Sequence, residues 1–437
     1  MGSSERIKEA VVVTPSEPTP SHNLTLSAID SQLFLRFTIE YLLVYRARPG
    51  GGDQASTAAR VKWALSKALV PYYPLAGRVR PKPNGSGLLE VVCRAQGAVF
   101  IDAVSERTVS DFERAPRNVA SWRKLLSVHV ADVLMGAPPL VVQLTFLRDG
   151  GVALGVGLNH CICDGIGSAD FLNLLAELAV GKKSLTEFKP KPIWARHLMD
   201  PPRPNNMITT TPPLPEFDSV PDHCSFMTRF SSEQLAPTSF VFNRRSLFEL
   251  KNIAAGSHSY SFTSFEVLTA HVWRSWAKAL SLPPSQPLKL LFSINVRSRV
   301  RPSLPVGYYG NAFVLGCAVS TVRELTERGL SYASGLVKTA KERVGDEHVR
   351  AVRQAVASGG ACPDPVGVLI VSQWSRMGLE RVDFGMGRPA NVGPICCDRY
   401  CLFLPVTDQR DAVRVMVAVP TSAVDKYEYL IRSQLCT

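Results

Sequence analysis

The stretch Val152-Ala153-Leu154-Gly155-Val156-Gly157-Leu158-Asn159-His160-Cys161-Ile162-Cys163-Asp164-Gly165 changes its apolar period part-way along, and that change sets the kind of fold. Before it, Leu140–Leu147 is an apolar run rich in β-branched residues, and Arg148-Asp149-Gly150-Gly151 is a turn signal. The spacing therefore predicts a hairpin over 140–160. Side chains alternate along a strand, so Val152, Leu154, Val156, Leu158 and His160 share one face. Gly155 and Gly157 lie on the other face, where another backbone or a ligand can approach closely. From Ile166 to Val180 the spacing is helical, through Phe171, Leu174, Leu175 and Leu178. Gly165 reads as the residue that frees the sharp turn between strand and helix. The turn carries His160, and imidazole is the side chain best suited to take a proton from a hydroxyl near neutral pH. Asp164 either orients that imidazole or holds the loop by pairing with a distant arginine. The residues alone equally allow a satisfied histidine at a strand end.

Working outward, the chain of 437 residues exceeds one simple core and suits two domains. Proline is dense and apolar periodicity sparse from Pro190 to Pro221. The expected division is a domain over 1–189 with the histidine, a crossover linker over 190–225 and a domain over 226–437. Further helices are expected over 57–69, 265–280, 330–344 and 423–431, and further strands over 88–93, 98–101, 288–296, 366–372 and 413–419. Thr263 or Ser264 caps the helix over 265–280, with Glu266 in its first turn. Helices and strands interleave, which predicts an α/β fold with mixed sheets. No GxGxxG opens a helix after a strand, which excludes a Rossmann unit.

Formal net charge is +12, but the basic residues are scattered and not interleaved with aromatics. That pattern argues against nucleic acid and for a small anionic metabolite or cofactor. The ten cysteines have no zinc spacing, and a disulfide framework belongs to small secreted chains. Free thiols in a reducing cytosol are expected. Met1 to Ala10 has no apolar signal core, and no run of apolar residues is long enough for a membrane span, so the protein is expected to be cytoplasmic.

Beyond the local chemistry, His160-x-x-x-Asp164-Gly165 resembles the signature of the BAHD acyltransferases of plants. Other landmarks of that family follow in order. They are Pro74-Leu75-Ala76-Gly77-Arg78, then Ser264-Phe265-Glu266 with His271-Val272-Trp273-Arg274. Asn295-Val296-Arg297-Ser298-Arg299, Gly307-Tyr308-Tyr309-Gly310-Asn311 and Asp383-Phe384-Gly385-Met386-Gly387 complete the set. The resemblance covers nearly the whole chain. It implies two chloramphenicol-acetyltransferase-like domains with a channel between them and His160 near its middle. It also implies a monomer without permanent cofactor or metal, using acyl-CoA as co-substrate and a small-molecule alcohol or amine as acceptor. His160 would be the general base. Asp164 would support the site by pairing with Arg297, Gly165 would be structural, and Asp383 and Gly387 would stabilise a loop far from the chemistry.

For coenzyme A, the family position matches Thr263 and Ser264. Arg299 and Arg301 are further candidates for its phosphates, and Gly385 and Arg388 would border the channel. The family usually has tryptophan where this chain has Met386, and that indole N–H can steady the oxyanion of the tetrahedral intermediate, which a thioether cannot. Three alternatives stay open. Cys161 or Cys163 could act as a nucleophile, the acceptor could be an amine, with an acidic pocket for a polyamine, or the chain could be a non-catalytic binding member of the family.

Overall fold

The computed structural model describes residues 5–48, 53–113, 120–123, 133–182, 185, 187–200, 212–231, 233–256, 261–359 and 361–433. Strands β1 (Glu5–Val13), β2 (Asn23–Thr25), β3 (Thr38–Tyr45), β4 (Arg78–Pro81), β5 (Leu89–Val92), β6 (Ala98–Ser105), β7 (Leu140–Leu147) and β8 (Val152–Asn159) come first. After the proline-dense segment come β9 (Leu235–Phe242), β10 (Pro287–Asn295), β11 (Phe313–Thr321), β12 (Val368–Gln373), β13 (Asn391–Pro394), β14 (Cys401–Pro405) and β15 (Val413–Pro420). One six-stranded sheet has the order β1-β6-β7-β8-β3-β13 and the other β11-β10-β12-β14-β15-β9, with a small sheet β2-β5-β4 beside them. Both large sheets are mixed, since β6/β7, β10/β12 and β12/β14 are parallel and their other pairs antiparallel. This is the expected α/β architecture of two sheet-based units.

The expected hairpin is present, with Leu140 opposite Leu158 and Phe146 opposite Val152. It sits in the middle of its sheet, because β3 pairs along the far side of β8. Every residue of β7 and β8 is buried, so both faces of the hairpin are covered. The helix Gly165–Ala179 runs back over this sheet and packs against the helix Gln54–Ala68. In the second half the helix Ser264–Leu280 packs against Leu330–Arg343. A capping box opens the former: Thr263 Oγ1 accepts from Glu266 N at 3.3 Å, and Glu266 Oε2 accepts from Thr263 N at 2.8 Å.

Two features depart from a simple division at a linker. First, β13 leaves the 226–437 range and adds to β3 at the edge of the first sheet, Asn391 opposite Val44 and Pro394 opposite Tyr41. Four residues with a closing proline show too little alternation to be read as a strand, and an edge position is where proline is tolerated. Second, the stretch of the 190–225 segment around Arg196 is packed into the protein. Arg196 is 2% exposed. Its guanidinium lies over Trp194 (4.2 Å), Tyr309 (4.9 Å) and Tyr308 (5.3 Å). It donates to Ile162 O at 2.6 Å and pairs with Asp30 at 3.4 Å. The segment is thereby riveted to the loop that follows His160. Residues 201–211 of the expected linker, and Met1 to Ser4 of the N-terminus, lie outside the described residues.

Candidate active site

His160 is held by its backbone. Its N–H donates to Phe37 O at 2.9 Å, and its carbonyl accepts from Asn311 Nδ2 at 2.7 Å. Asn311 is fixed in turn by Asp30 Oδ1, at 2.8 Å from Nδ2 and 3.0 Å from N. The imidazole stands between Phe37 and Phe313, with ring centroids 5.3 and 5.8 Å away. Nδ1 is enclosed, so the Nε2 edge of this half-buried ring faces the cavities. Burial pulls its pKa below the ordinary imidazole value of 6.5; its own carbonyl, Asp164, Asn311 and Asp30 favour the charged form, but burial prevails. The resting ring is neutral at neutral pH and able to accept a proton.

Asp164 does not hydrogen-bond the imidazole. Its Oδ1 caps the helix Gly165–Ala179, accepting from Ile166 N (3.1 Å) and Gly167 N (3.0 Å), and also takes Arg297 Nη2 at 2.9 Å. Oδ2 takes Arg297 Nη1 at 2.8 Å and Ala312 N at 3.1 Å. The pair is two-pronged and buried. Arg297 continues to Tyr308 O at 3.2 Å and Gly310 O at 3.0 Å. This constellation fastens the His160 loop of the first half to the Arg297–Ala312 segment of the second.

Gly165 needs a different explanation from the one the sequence invites. Its φ is not positive. A Cβ there would come within 2.9 Å of the Trp374 ring and 2.8 Å of Met377 Sδ. One at Gly167 would meet Tyr309 O at 2.1 Å. Both glycines serve close packing of the helix start, not the turn.

Three cavities follow one another through shared walls. At one end four cations, Arg244, Lys251, Arg376 and Arg410, face a single acid, Asp411, and Ser264 lies in the same wall. The middle cavity shares Gln373 and Arg376 with this mouth and contains His160, Asp164 and Arg297. The third, a chamber on the other side of the imidazole, shares His160, Ser293, Phe313, Ser372 and Trp374 with the middle one. The rest of its lining is mainly aromatic and aliphatic, including Phe34, Phe37, Leu315 and Ile370. Its one carboxylate among the described residues, Asp364, already accepts from Val366 N at 3.0 Å and Val220 N at 3.2 Å. His160 therefore stands where the middle cavity, which adjoins the basic mouth through Gln373 and Arg376, meets the apolar chamber.

Of the other expected contacts, Ser264 is at the basic mouth and Thr263 caps its helix, but Arg299, Arg301, Gly385 and Arg388 line none of these cavities. Arg299 closes the end of the helix Leu330–Arg343 by donating to Val344 O (2.7 Å) and Lys341 O (3.1 Å). The Arg301 side chain is exposed, and its backbone N–H goes to Asp346 at 3.0 Å. Arg388 is exposed near Asp408, 3.8 Å away. The Asp383 loop turns on itself, with Asp383 Oδ1 accepting from Gly387 N at 2.7 Å and Gly385 N at 2.8 Å. Arg48 and Arg60 of the first half hold its carbonyls. Met386 packs there against the first core and is in none of the three cavities, so its thioether does not bear on the oxyanion.

The side chain the sequence reading missed is Trp374. Its indole Nε1 is enclosed without a partner, its ring lies edge-on to Tyr41 at 5.6 Å, and it lines both cavities beside His160. Neither Cys161 nor Cys163 lines any of these three cavities. Burial pushes the Cys161 thiol up to about 12 and Cys163 up as well, so neither forms a thiolate readily. Among the described residues no three His, Cys, Asp or Glu side chains gather as metal ligands, and no helix is long and apolar enough to cross a membrane.

The sequence profile described as the Transferase family matches residues 5–430. The chain belongs to this family, the BAHD acyltransferases. The 3'-N-debenzoyl-2'-deoxytaxol N-benzoyltransferase of Taxus canadensis is 32% identical to this BAHD chain over 440 residues, covering 98% of it and 95% of the relative. The omega-hydroxypalmitate O-feruloyl transferase of Arabidopsis thaliana is 31% identical over 431 residues, covering 96% and 91%. The crystal structure of vinorine synthase shares the fold, with a TM-score of 0.76, 24% identity and 98% of each chain covered. F. graminearum TRI101, complexed with coenzyme A and T-2 mycotoxin, shares it at a TM-score of 0.72 and 17% identity over 93% of this chain and 97% of that one. This BAHD member is therefore an acyltransferase with relatives that acylate both oxygen and nitrogen.

Proposed function

We propose that this enzyme transfers an acyl group from coenzyme A to a hydroxyl group, with His160 as general base. The observation that carries the reading is the neutral, half-buried imidazole between the cavity that adjoins the basic mouth and the apolar chamber. Acyl-CoA enters at the mouth, where Arg244, Lys251, Arg376 and Arg410 meet its phosphates and the exposed ring of Phe248 offers a stacking surface for the base. The coenzyme A complexes of TRI101 support the co-substrate. The acceptor occupies the apolar chamber, whose Asp364 carboxylate is already bonded to backbone N–H groups, an environment that suits a neutral hydroxyl better than a cationic polyamine.

His160 Nε2 removes the acceptor proton as the oxygen attacks the thioester carbonyl. The tetrahedral oxyanion forms, the C–S bond breaks, and the imidazolium returns the proton to the departing thiolate. Trp374, whose ring lines both cavities beside His160, is the donor we assign to that oxyanion; its Nε1–H is enclosed before substrate binds and has to turn toward the junction to reach it. Asp164 and Arg297 keep the two halves in register around the junction and take no proton.

The direct test is release of free coenzyme A thiol from acyl-CoA on adding alcohols, compared with amines of the same carbon skeleton. Turnover of amines alone would sink the hydroxyl assignment. Trp374→Phe keeps the ring and removes the donor, and kcat should fall about 100-fold or more with KM little changed. A rate within a few-fold of the parent would move the role to Ser293 or Ser372. Arg376→Glu with Arg410→Glu should raise KM for acyl-CoA at least about tenfold, with less effect at high salt. The same pair should leave turnover of an acyl-pantetheine without the nucleotide unchanged. The pH profile has a definite sign. The base works unprotonated and its pKa lies below 6.5, so kcat/KM should stay level through neutral pH and fall only below that value. An acid limb centred above 7 would contradict the buried neutral imidazole.

A further inference from the structure

Strands β12 and β14 pair only from Val371 opposite Cys401 to Gln373 opposite Phe403. Cys401 is the first residue of β14, so Val368–Ile370 of β12 has no β14 partner on the edge that faces away from β10. A second apolar cavity lies beside this unpaired edge. Phe226, Phe230, Trp276, Leu280 and Val417 line it. It shares Pro365, Val368, Ile370 and Tyr400 with the chamber beside His160. Tyr400 stands at the join, its ring 5.9 Å from Phe37, which packs on the imidazole. The charges nearest the second cavity are engaged. Asp398 holds Arg123 at 3.0 and 3.2 Å, and the Arg399 guanidinium lies 5.3 Å over Phe37. Apart from the exposed Arg399, the lining left for a ligand is mainly hydrocarbon surface.

Resting on the acyl-transfer reading above, we infer that the two cavities form one bent apolar tunnel past Val368, Ile370 and Tyr400, and that it accommodates a linear aliphatic alcohol. The hydroxyl sits at His160 and the chain runs past Tyr400 into the second cavity. A flexible chain follows the bend around the shared wall, whereas a rigid fused-ring skeleton does not. Each buried methylene then adds about fourfold to the specificity constant, and the gain continues beyond the length that fills the first chamber.

The test uses straight-chain 1-alkanols from butanol to hexadecanol with acetyl-CoA or benzoyl-CoA, on the full chain. In the parent, kcat/KM rises steadily with chain length. Met227→Trp and Val417→Phe fill only the second cavity, and Met227 is 43% exposed, so the first of these leaves the core intact. Both variants should act on butanol like the parent and lose about tenfold or more on the long alcohols. A parent with no chain-length dependence, or variants that lose short and long alcohols equally, overturns the tunnel. Calorimetric binding of the same alkanols, parent against Val417→Phe, reads the tunnel separately from the chemistry. If long chains bind better in the parent alone while nothing turns over, the tunnel stands and the acyl-transfer reading fails.

Discussion

His160→Ala should lower kcat by about two to four powers of ten while leaving acyl-CoA binding and the unfolding midpoint close to those of the parent. The effect on chemistry is large because, among the described residues, no other titratable side chain lines both the middle cavity and the acceptor chamber. Asp164 and Asp364 have their oxygens engaged, Asp170 lines the middle cavity alone, and Cys161 and Cys163 line none of the three. The effect on folding is small because what anchors this residue is its backbone N–H and carbonyl, and alanine keeps both. The measurement is thiol release at saturating acyl-CoA and alcohol, with added imidazole as a diffusible base. Partial recovery by imidazole is expected. A variant that keeps its rate within tenfold would remove His160 from the chemistry and revive the binding-protein reading of this family member.

Asp164→Ala should instead act on stability, at a cost of about 3–5 kcal/mol. The substitution strands the N–H groups of Ile166, Gly167 and Ala312 and leaves the Arg297 guanidinium buried without its counter-charge. Arg297→Ala removes the same pair from the other side, so the two losses should be far from additive when combined. Urea unfolding checks this through the shift of the midpoint, which is safer than an extrapolated free energy in a chain with two sheet-based units. At a temperature where the variant is still folded, its kcat should be within about tenfold of the parent. A thousandfold loss of rate with an unchanged midpoint would make Asp164 the partner of the imidazole after all.

How much of this was legible beforehand depended on whether a residue's signal is local. The hairpin and the helix after it are local, so period and turn residues located them nearly to the residue. His160 was visible by chemistry at a strand end, and its pairing of Asp164 with Arg297, 133 positions apart, only through resemblance to a family. Trp374 was not visible, because a lone indole in Ser372-Gln373-Trp374-Ser375 carries no pattern. Its significance is an unpaired donor next to an imidazole, and that is a fact of three dimensions. Arg299 and Arg301 misled for the converse reason. They are two and four positions from Arg297, yet one closes a helix end and the other projects from the surface. The Arg196–Asp30 rivet was missed because proline-dense sequence looks like free tether until a buried cation is seen in it.

The excursion of β13 into the first sheet has a practical consequence for recombining members of this family. A chimera joined at the proline-dense segment would inherit its first sheet from one parent and that sheet's edge strand from the other, since Asn391–Pro394 travels with the C-terminal piece. The foreign strand would have to match β3 in register and the Asp383 loop would have to meet Arg48 and Arg60 of an unfamiliar host. Grafts that also carry the stretch from Asp383 to Pro394 with the N-terminal parent keep these contacts native. The same exchange orders synthesis in time: the first sheet closes only after residue 394 has left the ribosome, so the first half waits, with one edge open, for the last part of the chain.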